Sequence, residues 1–136
     1  MKKLSLAAIG VIAVCGAANA GEKIYDCELS SNEKYGWIPD QMIFLVNEDD
    51  QSVTVADPII HNTVGGPISA TVRSVKDGKY KLKWTLRNLK ARRGSLTGNY
   101  QATLDTTKGY VRARANLSGL DNRPSGQGAC KISNAK

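Results

Sequence analysis

One histidine, His61, serves the whole chain of 136 residues. Sites built on several histidines, whether for metal binding or for proton relay, are excluded by that count. Aromatic residues are scarce at 6% of the chain, which leaves little material for outward base stacking. Cysteine is rarer still, with Cys15, Cys27 and Cys130 alone. Beyond residue 20 no apolar run approaches the roughly 18 uncharged residues that a spanning helix needs. Acidic side chains are nearly missing from one half. Residues 61–136 carry fifteen lysines and arginines against three aspartates, a net of +12. Residues 21–60 carry two lysines and nine acids, a net of −7. Such asymmetry points to a polyanionic partner, or to two solvated faces of one domain that attract each other.

The first twenty residues read as a secretory signal. Lys2 and Lys3 open it, Leu4 to Ala17 is apolar and small, and Ala18-Asn19-Ala20 has the small-x-small form of a cleavage site. Cleavage after Ala20 is expected, with a periplasmic or secreted address; lipidation at Cys15 is the competing expectation. Residues 21–136 then form a single domain with one modest core. Without Lys2 and Lys3 the chain holds 17 basic and 12 acidic residues, a net of +5. Two cysteines in an exported chain are most simply a disulfide, here Cys27 with Cys130.

Alternation of period two dominates the rest. Tyr80, Leu82, Trp84 and Leu86 fall on one side of a strand, Lys79, Lys81, Lys83, Thr85 and Arg87 on the other. Tyr100, Ala102 and Leu104 form a second such set, and Val111, Ala113, Ala115 and Leu117 a third. Shorter runs place Tyr25, Cys27 and Leu29 together, then Val53 with Val55, then Ile68, Ala70 and Val72. Met42 to Val46 is a continuous apolar run, and Cys130 and Ile132 share the last core face. Turns are expected at Asn47 to Asp50, at Asp77-Gly78 and at Thr107-Lys108-Gly109. No helix is expected beyond the signal. The fold class is therefore all-β, a small antiparallel eight-stranded barrel or a sandwich, closed by one disulfide between the first and last strands.

Catalytic chemistry finds no footing. No nucleophile motif surrounds a serine. No phosphate-cradling glycine loop is present. His61 reads as a loop bystander. Glu48-Asp49-Asp50 lacks the calcium-loop pattern and reads as a charged turn. The chain is read as a non-enzyme with no cofactor and no metal.

The basic residues give the leading functional expectation. Lys81, Lys83, Arg87, Arg92, Arg93, Arg112 and Arg114 would share an outer surface about three strands wide, with Lys90, Arg92 and Arg93 in the loop that follows strand 79–87. Such a surface suits an anionic polymer such as a glycan, an anionic lipid surface or an acidic protein. Nucleic acid is disfavoured, because Tyr80, Trp84 and Tyr100 alternate inward. Tyr35-Gly36-Trp37-Ile38-Pro39 is either a recognition loop or a plug over one barrel end. The inward alanines Ala70, Ala102, Ala113 and Ala115 either leave room for a small apolar ligand or let the barrel flatten and fill itself.

Tyr25-Asp26-Cys27 near the start, Cys130 near the end and the short-strand pattern resemble the periplasmic C-type lysozyme inhibitors. The resemblance implies a disulfide-closed barrel that blocks lysozyme with a loop, and it would match Thr107-Lys108-Gly109 to that family's Thr-Lys-Gly turn. The family's Ser-Gly-x-x-Tyr motif is not met, since Ser95-Leu96-Thr97-Gly98-Asn99-Tyr100 holds those residues at another spacing.

Overall fold

A computed structural model describes residues 21–32, 36–121 and 123–135. The signal segment and Cys15 lie outside the described residues, as do Tyr35 and the start of its loop. The elements run β1 (Glu22–Glu28), β2 (Ser30–Ser31), β3 (Gln41–Asn47), β4 (Ser52–Ala56), α1 (Pro58–Val64), β5 (Ile68–Lys76), β6 (Lys79–Ala91), β7 (Gly94–Asp105), β8 (Tyr110–Leu117) and β9 (Ser125–Asn134).

Every pairing is antiparallel, and β3 to β9 follow one another round the sheet in chain order. β1 pairs with β3 on one side and β9 on the other, which closes an eight-stranded barrel and leaves no open edge. β2 extends β1 past Leu29 and stays on β9, Ser30 opposite Gln127. Where the chain bends between them, the Glu28 carbonyl presses on Gly128; a Cβ at that position would overlap it. Cys27 and Cys130 are direct register partners across the seam and are joined by a disulfide. The sandwich expectation gives way to the barrel.

Period-two alternation puts one apolar set inside. Phe44, Trp84 and Tyr100 cross the interior as an aromatic layer. Phe44 meets Trp84 edge to face at 6.3 Å, and Trp84 stacks on Tyr100 at 5.8 Å. Tyr25, Met42, Leu82, Leu104, Val111 and Leu117 pack around that layer with almost no exposure. The small residues Ala102, Ala113 and Ala115 let the wall come close, and the barrel fills itself with side chains. The segment Gly36 to Pro39 folds inward: Ile38 and Pro39 are buried, and the Tyr100 hydroxyl donates to the Trp37 carbonyl at 2.9 Å.

Three expectations are corrected. A helix is present at Pro58–Val64, and His61 stands exposed on it rather than in a loop. Asp57 caps it, accepting from the Ile60 N–H at 2.8 Å. Pro58 occupies the first turn, Gly65 ends it at φ 90°, and Ile60 anchors it in the core. Seven residues are too few to show an amphipathic stripe. Ile132 is 48% exposed and lies over Gly109 instead of entering the core. β6 runs four residues past Arg87, so Lys90 is on a strand and not in the following loop. A bulge between Leu86 and Leu89 hides that extension from a period-two reading. Asn88 takes φ 61°, a left-handed conformation asparagine tolerates, and Arg87 and Asn88 both face out between two buried leucines.

Candidate functional site: a basic cleft across the outer wall

The charge asymmetry of the sequence becomes an asymmetry of the barrel wall. The acidic residues 21–60 build β1 to β4, and the basic residues 61–136 build β5 to β9. On that second wall lies a cleft of about 890 Å³, within the range of ligand pockets.

Register explains how it forms. Outward positions line up in two rows across the strands. One row runs Ser74, Lys81, Thr103, Arg112, Gln127 and Ser30; the other runs Thr71, Lys83, Gln101, Arg114 and Ser125. Long basic side chains stand at the two sides of a lower polar strip. Arg73, Lys81, Arg112 and Arg114 all line the cleft, and among the described residues no carboxylate does. Leu82, Ala102 and Ala113 also border it, but their side chains are core residues, so the floor they offer is main chain.

Arg114 is held in place. Its Nε and Nη2 donate to Gln101 Oε1 at 2.9 and 2.7 Å. Three of its five N–H donors remain for another acceptor. Among the described residues the one ion pair is Lys23 with Glu48 at 3.7 Å, so none of the four cleft cations is matched by an acid. Asn32 pins the cleft rim, accepting from the Ser125 N–H at 3.0 Å while its own N–H donates to the Ser125 carbonyl.

Of the seven basic residues the sequence singles out, Lys81, Arg112 and Arg114 line the cleft. Lys83 stands in the same outer row as Gln101 and Arg114 without lining it. Arg87 lies at the β6 bulge, and Arg92 with Arg93 forms the tip of the β6–β7 hairpin, all exposed and away from the lining. Arg73 is the residue that sequence reasoning passed over. It sits at a bulge between Val72 and Ser74, a device that re-aims a side chain. Its signal was Val72-Arg73-Ser74-Val75, where the period of two breaks in the same way as at Leu86 to Leu89.

Two turns at one end of the barrel carry the remaining candidates. In Thr107-Lys108-Gly109, Thr107 and Lys108 are exposed and Gly109 takes φ 67°. Asp105 Oδ1 braces the turn by accepting from the Thr107 hydroxyl at 2.6 Å, the Thr107 N–H at 3.0 Å and the Lys108 N–H at 3.1 Å. Those donors, the Thr107 hydroxyl first, hold the Asp105 carboxyl below its ordinary value, with help from Lys79. In the acidic turn Asp50 accepts from the Ser52 N–H, and hydrogen bonds from Ser52 lower its carboxyl too. The same turn raises the Tyr25 and Tyr80 phenols: burial is the larger cause for both, and the Glu48 charge follows. Among the described residues no three His, Cys, Asp or Glu side chains gather as a metal site, and no helix is long and apolar enough to cross a membrane.

No protein-family model matches the chain, and neither do the curated proteins or the solved structures.

Proposed function

We propose that this is an exported, non-enzymatic binding protein that docks an anionic ligand in the cleft of the outer wall. The observation that carries the reading is the convergence of Arg73, Lys81, Arg112 and Arg114 on one cleft, with no acid among the described residues that line it. Charges arranged this way attract an anion at long range and hold it at short range through charge-assisted hydrogen bonds. The interior offers less. Phe44, Trp84 and Tyr100 occupy it, which weighs against a small apolar ligand carried inside.

The test is binding of the purified oxidised protein to heparin, followed across a salt titration. Affinity should fall at least roughly tenfold between low and physiological salt, and an Arg112→Ala/Arg114→Ala variant should lose most of it. Salt-independent binding, or full binding by that variant, would overturn the reading.

A second reading is lysozyme inhibition, favoured by one feature. The Thr107-Lys108-Gly109 turn is exposed and braced by Asp105, so it presents a cation on a rigid support. Lysozyme cleaves with a pair of carboxyl groups in an open cleft, a fitting receptor for such a turn. A lysozyme activity assay separates the two readings. Dose-dependent inhibition that Lys108→Ala abolishes supports this one, and full lysozyme activity under excess protein removes it.

A further inference from the structure

The cleft also carries information about what kind of anion it takes. We infer that its ligand is an anionic saccharide chain in which charged units are spaced by uncharged, hydroxyl-bearing ones. The inference rests on the anion-docking reading above and narrows it.

Shape comes first. The lining is drawn from five successive strands, β5 to β9, and from β2 beyond them. With neighbouring strands about 4.8 Å apart, the cleft follows the wall for roughly 20 Å. Along any one strand it takes only two or three residues, such as 101–103 of β7 and 112–114 of β8, a width of about 7 Å. A long, narrow trough fits an extended chain. A flat lipid surface would rest on the arginine tips and leave the polar strip below untouched.

The charge pattern comes second. Arg73 and Lys81 stand on β5 and β6, and Arg112 and Arg114 stand on β8. Between the two groups lies β7, which contributes the uncharged Gln101 and Thr103. Lys81 and Arg112 are therefore two strands apart, about 10 Å at the backbone. Past Arg112 the lining turns neutral again with Gln127 and Ser30. A polyphosphate or a nucleic-acid backbone carries charge without such gaps and would set phosphates over neutral positions.

The chemistry of the gaps comes third. They hold amides and hydroxyls, groups that both donate and accept and so match sugar hydroxyls. Among the described residues no aromatic side chain lines the cleft. A base would find no stacking partner among them.

Three probes decide it: hyaluronan oligosaccharides, in which uronate and neutral sugar alternate; linear polyphosphate of equal charge; and phosphatidylglycerol vesicles. Each is titrated against the full oxidised protein at one salt concentration. Hyaluronan should bind several-fold tighter than the other two. A Thr103→Val/Gln127→Ala variant, which keeps every cation, should lose about tenfold for hyaluronan and less than about twofold for polyphosphate. Circular dichroism and the melting temperature of that variant report whether its fold is intact; a single Gln127→Ala substitution on the exposed face serves if it is not. Polyphosphate or vesicles binding as tightly as hyaluronan would overturn the saccharide inference while leaving the anion cleft standing. So would unchanged hyaluronan binding by either variant. Binding of none of the three would remove the anion-docking reading itself.

Discussion

Gln101 accepts two hydrogen bonds from Arg114 across the β7–β8 ladder, through Nε at 2.9 Å and Nη2 at 2.7 Å. A neutral side chain thus fixes the direction of a charged one. Freezing an exposed arginine ahead of binding removes part of the ordering cost that a ligand would otherwise meet. Gln101→Ala should therefore weaken heparin binding by roughly three- to tenfold with the charge count unchanged. The check is a salt titration: the slope should stay as in the parent while the intercept drops. A variant binding as tightly as the parent would show that the pair does not pre-organise the site.

The Cys27–Cys130 bond closes a loop across 103 positions of sequence. In the chain-entropy model such a loop stabilises by about 3–5 kcal/mol. Urea unfolding of the oxidised protein, set against a Cys27→Ser/Cys130→Ser variant, should show a lower midpoint for the variant and an unfolding free energy smaller by that amount. Equal midpoints would mean that the β1–β9 ladder holds the seam without the bond.

Asp57 and Asp105 act on stability in opposite directions as pH changes. Burial raises the Asp57 carboxyl above its ordinary 3.8, outweighing the N–H donors of Ile60 and Ile59. The folded protein then holds that proton more tightly than the unfolded chain does, so between 3.8 and the raised value stability falls as pH rises. Asp105 is held below 3.8, so its contribution is full above that value and is lost as pH falls through the folded value. Asp57→Asn keeps a competent cap and should match or exceed the parent's stability near neutral pH. Asp105→Asn should be less stable near neutral pH and converge on the parent in acid. Melting curves taken from about pH 2.5 to neutral check both signs.

Gly128 lies where the Glu28 carbonyl crosses the sheet. Gly128→Ala should cost about 2–4 kcal/mol, because backbone rather than a movable side chain must give way. Gly126→Ala meets the Ser30 carbonyl at 2.9 Å and an Ile38 methyl at 2.8 Å and should cost less, since both overlaps are far smaller than that with the Glu28 carbonyl. Chemical denaturation of the two variants ranks them, and the reverse order would show that the backbone crossing at Leu29 yields to an added methyl group.

Much of the fold was legible because a half-buried strand must alternate. Tyr80 to Leu86, Tyr100 to Leu104 and Val111 to Leu117 enter the core as their spacing predicts. Helix α1 was missed although its signals were present: Asp57 before Pro58, and Gly65 behind. A seven-residue helix buries one deep residue, Ile60, and one residue makes no periodicity. The bulges at Val72–Ser74 and Leu86–Leu89 were missed for the complementary reason. They displace the period by one residue, so alternation does not carry β6 through to Lys90 and does not show that Arg73 is aimed at the cleft.

By itself the sequence determined the strand faces, the turns, the cysteine pair and the split of charge between its two halves. All of these follow from local chemistry and counting. Tertiary structure alone decided which outward residues share a cleft. Arg73, Lys81, Arg112 and Arg114 are gathered from three strands by cross-strand register and by one bulge. Register depends on how neighbouring strands pair across the bulges, and a one-residue slip moves every side chain to the other face. The ladders from β5 to β9 set that register, and with it the site.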